Sequence, residues 1–360
     1  MSTQDNQSHR KQRRGFTLIE LVLVLIILAI LASAALNLVE VQVDQTRFET
    51  TQRTINNVEN AIFVEKQGAD GRSFMSGFAV DMGRPPMTLE DPEDATILTL
   101  RELWAPTGLP AYQSLPATAD NVSTTTDSDG DTVAADQNVR ISAGWRGPYL
   151  QLPVGATQLT DGWGHRMVSL TTGTTGADYS HLRADGDEDI TVVNTPVYGV
   201  RSLGRDDDTV TAPTAYDIDS PSIVNGNGIT LAETSLKGTI RGTVYVDDTL
   251  TPTPSTTNVV VQLYFPDETN AAQISVERAE LDALAPTVPG YDSFSFTFDV
   301  TGGGEVQFPV GPRVIRAYFD SGSDGSGDFN DGTDDPPNQS QPGSVTVVPS
   351  TNGVELTINN

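Results

Sequence analysis

The sequence contains no cysteine, so no disulfide bond can stabilise any part of the chain. If the chain is exported, its folded part must be held together by a hydrophobic core or by metal ions. Basic residues are also scarce, since 21 Lys and Arg stand against 48 Asp and Glu, which gives a net charge of −27. We do not expect nucleic acid to be a partner, because its phosphates would repel this chain.

Histidine is nearly absent as well, with three in 360 residues. With no cysteine and no pair of histidines at ligand spacing, a zinc site is disfavoured. The sequence also has no recognisable set of nucleophile, base and orienting group, and no glycine-rich phosphate loop. We therefore predict that the protein is not an enzyme.

The charges and the apolar residues are unevenly distributed at the start of the chain. Residues 1–15 carry four basic side chains and one acidic one, and an apolar run follows from Phe16 to Val39 with Glu20 as its only charge. As a helix, this run would be about 36 Å long, which is enough to cross a hydrocarbon core of about 30 Å. A basic head before such a run indicates that the N-terminus stays in the cytoplasm.

Three interpretations of this run compete: a transmembrane anchor, a secretory signal peptide with a small-residue site at Ala32-Ser33-Ala34, and a prepilin. A carboxylate inside an apolar helix costs about 2.5 kcal/mol or more near the bilayer centre, and the first two interpretations do not require one. Gly15-Phe16 followed by Glu20 and preceded by Arg13-Arg14 resembles the cleavage and methylation motif of type IV pilins and type II secretion pseudopilins.

This resemblance implies a processing and assembly pathway. A prepilin peptidase would cut between Gly15 and Phe16 and methylate the new amine of Phe16. Glu20 would pair with the charged N-terminus of a neighbouring subunit in the filament, because a buried carboxylate is tolerable only when it is paired. The implied partners are other pilin or pseudopilin subunits and the inner-membrane assembly platform. The chain would cross the inner membrane once, with its bulk in the periplasm, before it enters a pilus or pseudopilus.

The helix is expected to continue beyond the membrane over residues 16–68, with Gly68 as its stop signal. An apolar stripe runs along its second half. The stripe consists of Val41, Phe48, Ile55, Val58, Ala61 and Ile62. We expect this stripe to pack against the sheet that follows.

Residues 69–233 are expected to form a pilin-like globular domain with an antiparallel sheet. Three islands resemble type IV pilin-like proteins and pseudopilins: Asp81-Met-Gly-Arg-Pro-Pro86, Gly144-Trp-Arg-Gly-Pro-Tyr-Leu150 and Asp161-Gly-Trp-Gly164. Gly162 stands where the family usually has proline. The aromatic residues of the last two islands are predicted to be core residues rather than parts of a ligand site.

A fourth island resembles the calcium loop of major pseudopilins. It runs from Ser202 through Asp208 and continues at Asp217-Ile-Asp219. Calcium takes six to eight oxygen ligands, and the resemblance implies that they include the carbonyl of Leu203 and the carboxylates of Asp206, Asp217 and Asp219. Two residues depart from the family pattern: Arg205 replaces a small residue and Asp207 replaces glycine. The alternative to a calcium site is a solvated acidic turn.

Residues 237–360 are predicted to form a separate β-sandwich. The predicted strands are Thr239–Val246, Val259–Phe265, Ser293–Val300, Arg313–Phe319, Ser344–Val348 and Val354–Ile358. Their pattern resembles carboxypeptidase-regulatory-like, or transthyretin-like, modules. Between two of these strands lies an acidic stretch in which Asp320, Asp324, Asp328 and Asp331 are candidate calcium ligands, with a solvated loop as the alternative.

The fold class predicted from the sequence is therefore α+β. A long N-terminal transmembrane helix leads into a pilin-like antiparallel sheet, and a β-sandwich hangs at the C-terminal side. We expect a structural, minor subunit of a type IV pilus or type II secretion pseudopilus. The alternative is a surface adhesin or binding module that the helix delivers.

Overall fold

The structure is a computed structural model. It describes residues 18–67, 73–90, 98–106, 108–123, 126, 133, 135–171, 179–180, 196–202, 204–205, 218–219, 236–299, 304–319, 338–339, 343–348 and 351–359.

The first element is a long helix, α1 (Leu18–Ile62). Its first half is rich in Leu, Ile and Ala, and its second half holds Gln, Glu and Arg, most of which favour helix. The prediction that it extends to Gly68 is wrong, because Val64–Gln67 forms a strand that pairs with Ser73–Ser76. Gly77 approaches the helix end so closely that a Cβ atom there would lie 2.6 Å from the carbonyl oxygen of Ile62. The neighbouring backbone therefore occupies the space next to the last turn of α1.

The described residues between 64 and 219, which we call the body, contain short elements. The helical ones are α2 (Phe78–Met82) and one 3-10 turn (Arg101–Leu103). The strands are β1 (Val64–Gln67), β2 (Ser73–Ser76), β3 (Leu89–Glu90), β4 (Leu98–Thr99), β5 (Gln113–Ala117), β6 (Asp136–Ala143), β7 (Val168–Thr171), β8 (Tyr179–Ser180), β9 (Val197–Ser202) and β10 (Ile218–Asp219). Strands β10, β9, β7 and β8 form one antiparallel sheet in that order, and the other six pair as β1–β2, β3–β4 and β5–β6.

The second half of α1 packs on the body through the predicted apolar stripe. Ile55, Val58, Ala61 and Ile62 are buried, and they share a core with residues of α2 and of β9. The stripe does not begin as early as predicted, since Val41 is exposed. The apolar contact between α1 and the body therefore lies in the last turns of the helix.

Two of the islands found in the sequence come together on this core. Trp145 and Tyr149 are partly buried against it, as predicted, and each ring has its polar end bonded. The indole of Trp145 donates to the carbonyl oxygen of Glu102 over 2.8 Å, and the hydroxyl of Tyr149 donates to Asp81 over 3.0 Å. Burial raises the pKa of Asp81, although Arg146 opposes this shift.

The described residues from 236 to 359 form what we call the C-terminal two-sheet unit. Its strands are β11 (Lys237–Asp247), β12 (Val259–Pro266), β13 (Ile274–Arg278), β14 (Glu280–Leu284), β15 (Tyr291–Thr297), β16 (Phe308–Pro309), β17 (Gly311–Phe319), β18 (Asn338–Gln339), β19 (Gly343–Val347) and β20 (Thr351–Ile358). One sheet has the order β14-β15-β11-β16 with β20 also on β11, and the other has the order β13-β12-β17-β18 with β19 also on β17.

The two sheets of this unit share one apolar core, made by alternate side chains of β11, β12, β15, β17, β19 and β20. Each of the six predicted strands overlaps a strand of the structure, whereas β13, β14, β16 and β18 were not predicted. Most pairs are antiparallel, but β20 lies parallel to β11 from Thr239↔Thr351 to Val246↔Ile358. The class α+β is confirmed in the form of a mostly β structure with few helices in the described residues. The resemblance to transthyretin-like sandwiches stays a prediction.

The two-sheet unit packs against the body and is not joined to it by the chain alone. Strands β5 and β6 of the body pack on Tyr264, Ile274 and Val276 of the unit in a shared apolar cluster. The backbone also crosses the junction, because Ile274 donates to Asn121 and accepts from Ser123, each over 2.8 Å. We infer from this shared core that the body and the unit fold together.

Candidate functional site

The predicted processing and assembly residues lie at the start of the chain. Gly15 and Phe16 fall outside the described residues. Glu20 lies in the first turn of α1 and is exposed. Its position on the helix surface is compatible with a partner on another chain, although the structure contains one chain only.

The side chains from Leu18 to Ser33 of α1 are all exposed. The exposed fraction is 83% for Leu18 and 64% for Ile30. A contiguous apolar surface of this kind marks a site of contact with protein or membrane. This half of α1 is therefore a candidate binding surface.

Among the described residues, no helix meets the length and hydropathy expected of a membrane span. The transmembrane segment over 16–39 stays a prediction.

The second half of α1 closely contacts the turn at residues 161–164, which precedes β7. The hydroxyl of Thr51 on α1 accepts a hydrogen bond of 2.8 Å from the amide of Gly162. A Cβ atom on residue 162 would lie 2.1 Å from the carbonyl oxygen of Arg47, so any larger residue would push the turn away from the helix. The glycine at position 162, where the resemblance implies a proline, thus leaves room for this turn to lie against the backbone of α1.

Asp161 organises this turn and joins it to the end of β9. One carboxylate oxygen accepts from the amides of Trp163 and His165, each over 2.9 Å, and the other accepts from the hydroxyl of Ser202 over 2.7 Å. The same hydroxyl of Ser202 accepts from the amide of Gly204 over 3.0 Å. Asp161 and Ser202 are both buried, so the two loops behave as one hydrogen-bonded piece.

Arg205 then connects this piece to α1. One nitrogen of its guanidinium lies 3.0 Å from the carboxylate of Asp44, and another lies 2.9 Å from that of Glu40. Asp44 is buried and also lies 3.8 Å from Arg47, whereas Glu40 is exposed. We call Glu40, Asp44, Thr51, Asp161, Gly162, Ser202 and Arg205 the helix clamp.

The predicted calcium ligands are largely outside the described residues. This holds for Leu203, Asp206 and Asp217 of the first loop and for Asp320, Asp324, Asp328 and Asp331 of the second. The backbone of Asp219 lies in β10, where it pairs with Arg201 of β9. Within the part of the chain that the structure describes, no group of three or more His, Cys, Asp and Glu could hold a metal ion. Calcium binding stays a prediction.

A second polar cluster joins the body to the two-sheet unit. Asp136 of β6 accepts from the guanidinium of Arg316 and, over 2.8 Å, from the hydroxyl of Tyr318. The hydroxyl of Tyr264 lies within hydrogen-bond distance of both the hydroxyl of Tyr318 and, at 2.9 Å, the amide oxygen of Gln262, and it donates its single proton to one of them at a time. All five side chains are buried, and burial raises the pKa of both tyrosines. We call these residues the junction cluster.

Arg313 is a further buried cation at the same junction. It is 1% exposed, and its guanidinium donates to backbone carbonyls, including those of Pro309 over 3.1 Å and Val310 over 2.6 Å. Burial lowers the pKa of Arg313 to about 9. The carbonyl oxygen of Val80 in α2 lies 3.4 Å from it, so Arg313 also contacts the body.

The sequence did not reveal the junction cluster. Asp136 stands at the start of a strand and Arg316 inside one, and neither belongs to a motif. The usable signal was the alternation of β17, in which Arg313 and Arg316 interrupt an otherwise apolar run. A cation in such a run must be exposed or paired, but its partner could not be named without the structure.

A family model described as prokaryotic N-terminal methylation motif matches residues 10–36. No curated protein and no solved structure matches the chain. The matched segment contains Gly15, Phe16, Glu20 and the exposed start of α1. The match supports a prepilin-type protein of the type IV pilin-like class. It implies processing by prepilin peptidase and assembly with other pilins.

Proposed function

We propose that the protein is a minor structural subunit of a type IV pilus or type II secretion pseudopilus. The observation that carries this proposal is the exposed apolar half of α1, which begins inside the matched motif. A folded body at one end and an uncovered apolar helix at the other suit a subunit whose helix is buried only among other subunits.

In this proposal the peptidase cuts between Gly15 and Phe16 while the chain is anchored in the inner membrane. The basic residues of the leader hold the N-terminus in the cytoplasm, and the acidic remainder lies in the periplasm. The assembly platform then extracts α1 into the filament. There Glu20 pairs with the N-terminal amine of a neighbour, which sets the axial register of the helices.

The size of the two-sheet unit favours the role of a minor subunit. The two-sheet unit shares a core with the body, so it cannot swing away to make room for neighbours. A unit of this size on every subunit would crowd a helical filament, whereas the tip or a rare position tolerates it. Labelling the protein along sheared filaments checks this. A signal at major-subunit abundance along the whole shaft would refute the minor role.

The assembly role is tested with Glu20→Gln in the full chain. We expect the protein to reach the membrane at wild-type level and its amount in sheared filaments to fall by about tenfold or more, because the unpaired amine of a neighbour is costly in an apolar core. The matched control is Glu49→Gln, which removes an exposed carboxylate from the same helix. If Glu20→Gln enters filaments normally, Glu20 has no role in assembly.

Processing is tested separately by the mass of the mature protein. We expect the mature chain to begin at Phe16 with a methylated amine. A mature chain that begins elsewhere would contradict the filament proposal.

A surface binding role is the second candidate, and an open pocket formed by β11, β15 and β20 of the two-sheet unit, which we call the trough, favours it. The trough is lined by Arg241, Gly242, Thr243, Ser295, Phe296, Thr297, Gly353, Val354 and Glu355. A Cβ atom at Gly353 would meet nothing within 4 Å, so Gly353→Gln introduces a side chain that starts from open space at this pocket. Filaments that remain intact but lose adhesion in this variant would support binding, and unchanged adhesion would count against the trough.

A further inference from the structure

The strand β20 lies at an edge of its sheet. It pairs with β11 over its whole length, from Thr351 to Ile358, and no other strand of the described residues pairs with its second side. About half of the backbone amides and carbonyls of such a strand point away from the sheet, where they can bond to an added strand. The second side of β20 is therefore a candidate site for strand addition.

This edge has none of the features by which proteins usually prevent strand addition. Thr351–Ile358 contains no lysine, arginine or proline, and it pairs with β11 without a register shift that would indicate a bulge. The opposite edge of the same sheet differs, because β14 has only five residues and carries Glu280 and Asp282. A long edge of this kind is expected to be covered by another strand.

The outer face beside this edge carries a cation and a carboxylate that can attract a partner. Arg241 of β11 lies directly opposite Gly353 of β20, and Glu355 follows two positions later. The neighbouring Ile240 and Leu356 belong to the core, so the alternation of side chains turns these three residues outward. Arg241 and Glu355 are both exposed, and neither forms an ion pair with another residue of the described chain.

A second copy of β20 is complementary to this face. In an antiparallel pair centred on Val354, Gly353 of one chain lies directly opposite Glu355 of the other. Neighbouring strands are about 4.8 Å apart, so the Cα atom of the second copy's Glu355 would lie about 10 Å from that of Arg241. A long arginine and a glutamate can meet over this span because Gly353, between them, has no side chain. Two-fold symmetry forms the same ion pair twice.

Two other registers of the same pair are less favourable. A pair centred on Glu355 would place the two Glu355 carboxylates directly opposite each other, where like charges repel. A pair centred on Gly353 would shorten the paired segment from residues 351–357 to residues 351–355. The register that joins Arg241 to Glu355 therefore pairs the longest segment without opposing like charges.

We infer that the protein forms a homodimer in which β20 pairs antiparallel with β20 of a second copy, with Arg241 bound to the second copy's Glu355 across Gly353. Part of the trough is then occupied by the second copy and not by an adhesive ligand. The inference goes beyond the proposed filament role, since it concerns the two-sheet unit and not α1. A two-fold pair closes on itself and adds no further copies, which suits a subunit of low abundance.

Disulfide cross-linking of the full-length mature protein in mild detergent tests the register. The chain has no cysteine, so engineered ones report alone. Gly353→Cys and Glu355→Cys are mixed under reducing conditions and then oxidised. We expect the mixture to give about fivefold more cross-linked dimer than either variant alone, because directly opposite residues lie within disulfide range and diagonal ones do not. The matched control is a mixture of Glu280→Cys and Asp282→Cys on β14, which should show no such excess.

A charge exchange tests the ion pair in the same protein, with native mass spectrometry in detergent as the readout. We expect Arg241→Glu and Glu355→Arg each to raise the dissociation constant of the dimer by about tenfold or more, because each brings like charges together. The two changes in one chain should restore the dimer. Glu280→Arg, on the outer face of the opposite edge, is expected to leave it unchanged.

Three results would overturn the inference. They are a monomeric wild type, a cysteine mixture with no excess of cross-linked dimer, and a charge exchange that does not restore association. Association through the exposed apolar half of α1 would survive all the charge variants, and this outcome would also count against β20. The filament proposal is tested independently, since Glu20→Gln affects filament entry and leaves the edge of β20 intact.

Discussion

The body makes two contacts that differ in their physical character. Toward α1 it uses the helix clamp, in which the side chains of Arg205 and Glu40 are 54% and 59% exposed. Toward the two-sheet unit it uses the junction cluster, in which those of Arg316 and Asp136 are 8% and 7% exposed. Exposed ion pairs contribute little and respond to salt, whereas breaking a buried pair is costly. The comparison teaches that the ion pair toward the unit is part of a buried core, whereas the ion pair between Arg205 and Glu40 only supplements the apolar contact that the last turns of α1 make with the body.

This difference changes how the distal part of the chain should be tested. A deletion of residues 237–360 would strip apolar side chains of β5 and β6 of their cover and leave Asp136 without its donors. Loss of filaments after such a deletion would then report misfolding and not a structural role. Point variants keep the two roles separable.

The largest effect is expected from Asp136→Ala, which leaves the buried guanidinium of Arg316 without its carboxylate. We expect the free energy of unfolding of the full chain to fall by about 3–5 kcal/mol. Denaturant unfolding in detergent measures this, with the exposed Asp120→Ala as a control expected to stay within about 0.5 kcal/mol. A loss below about 1 kcal/mol would show that the junction cluster is not essential to the fold.

The next effect is a dependence on alkaline pH. Burial raises the pKa of Tyr264 and of Tyr318, so the folded state keeps their protons above pH 10, where the unfolded chain loses them. Stability is therefore complete below about pH 10 and falls at higher pH by about 1.4 kcal/mol per pH unit for each tyrosine. Arg313 changes stability in the opposite direction. Burial lowers its pKa to about 9, so above that pH the unfolded chain holds this proton more tightly than the folded protein does, and stability rises with pH.

The variant Tyr318→Phe isolates one tyrosine from these opposing contributions. Between pH 10 and 11 we expect its stability to fall less steeply than that of the wild type, by about 1.4 kcal/mol per pH unit. Equal slopes would mean that Tyr318 titrates normally in the folded state. The measurement is denaturant unfolding of both proteins at pH 9, 10 and 11.

A smaller effect is expected on the other side of the body from Gly162→Ala. The new Cβ atom would lie 2.1 Å from the carbonyl oxygen of Arg47, so the turn must move away from α1 at a cost of about 2 kcal/mol. Gly147→Ala is the control, since a Cβ atom there meets nothing within 4 Å. Increased hydrogen exchange at residues 47–51 in Gly162→Ala alone would confirm the contact, and equal exchange in both variants would argue against it.

The smallest effect is expected from Thr51→Val, which removes the acceptor for the amide of Gly162 while keeping the shape of the side chain. A loss of about 1 kcal/mol is expected. Thr50→Val is the matched control, because the hydroxyl of Thr50 is exposed and bonds only within the helix, to Thr46. If the two variants lose the same stability, the hydrogen bond between Thr51 and the amide of Gly162 makes no measurable contribution to stability.

The sequence predicted what local patterns encode. The apolar run and its single carboxylate indicated α1 and its exposed half, and alternation indicated six strands of the two-sheet unit. The sequence did not predict features that depend on residues far apart in the chain. The helix ends at Ile62 because Gly77 and the pairing of β1 with β2 occupy the space beyond it, not because of Gly68. The sequence marks Arg205 only as a departure from a calcium loop, because its partners on α1 lie about 160 residues earlier in the chain.

The parallel pairing of β20 with β11 has a consequence for the timing of folding. Residue 239 finds its partner at residue 351, about 110 residues further along the chain, so the inner strand β11 keeps an open edge until β20 emerges. The two-sheet unit can therefore reach its final packing only after residues 351–358 are available. A chain that ends or stalls before that point presents an unpaired strand, which is a ready template for aggregation.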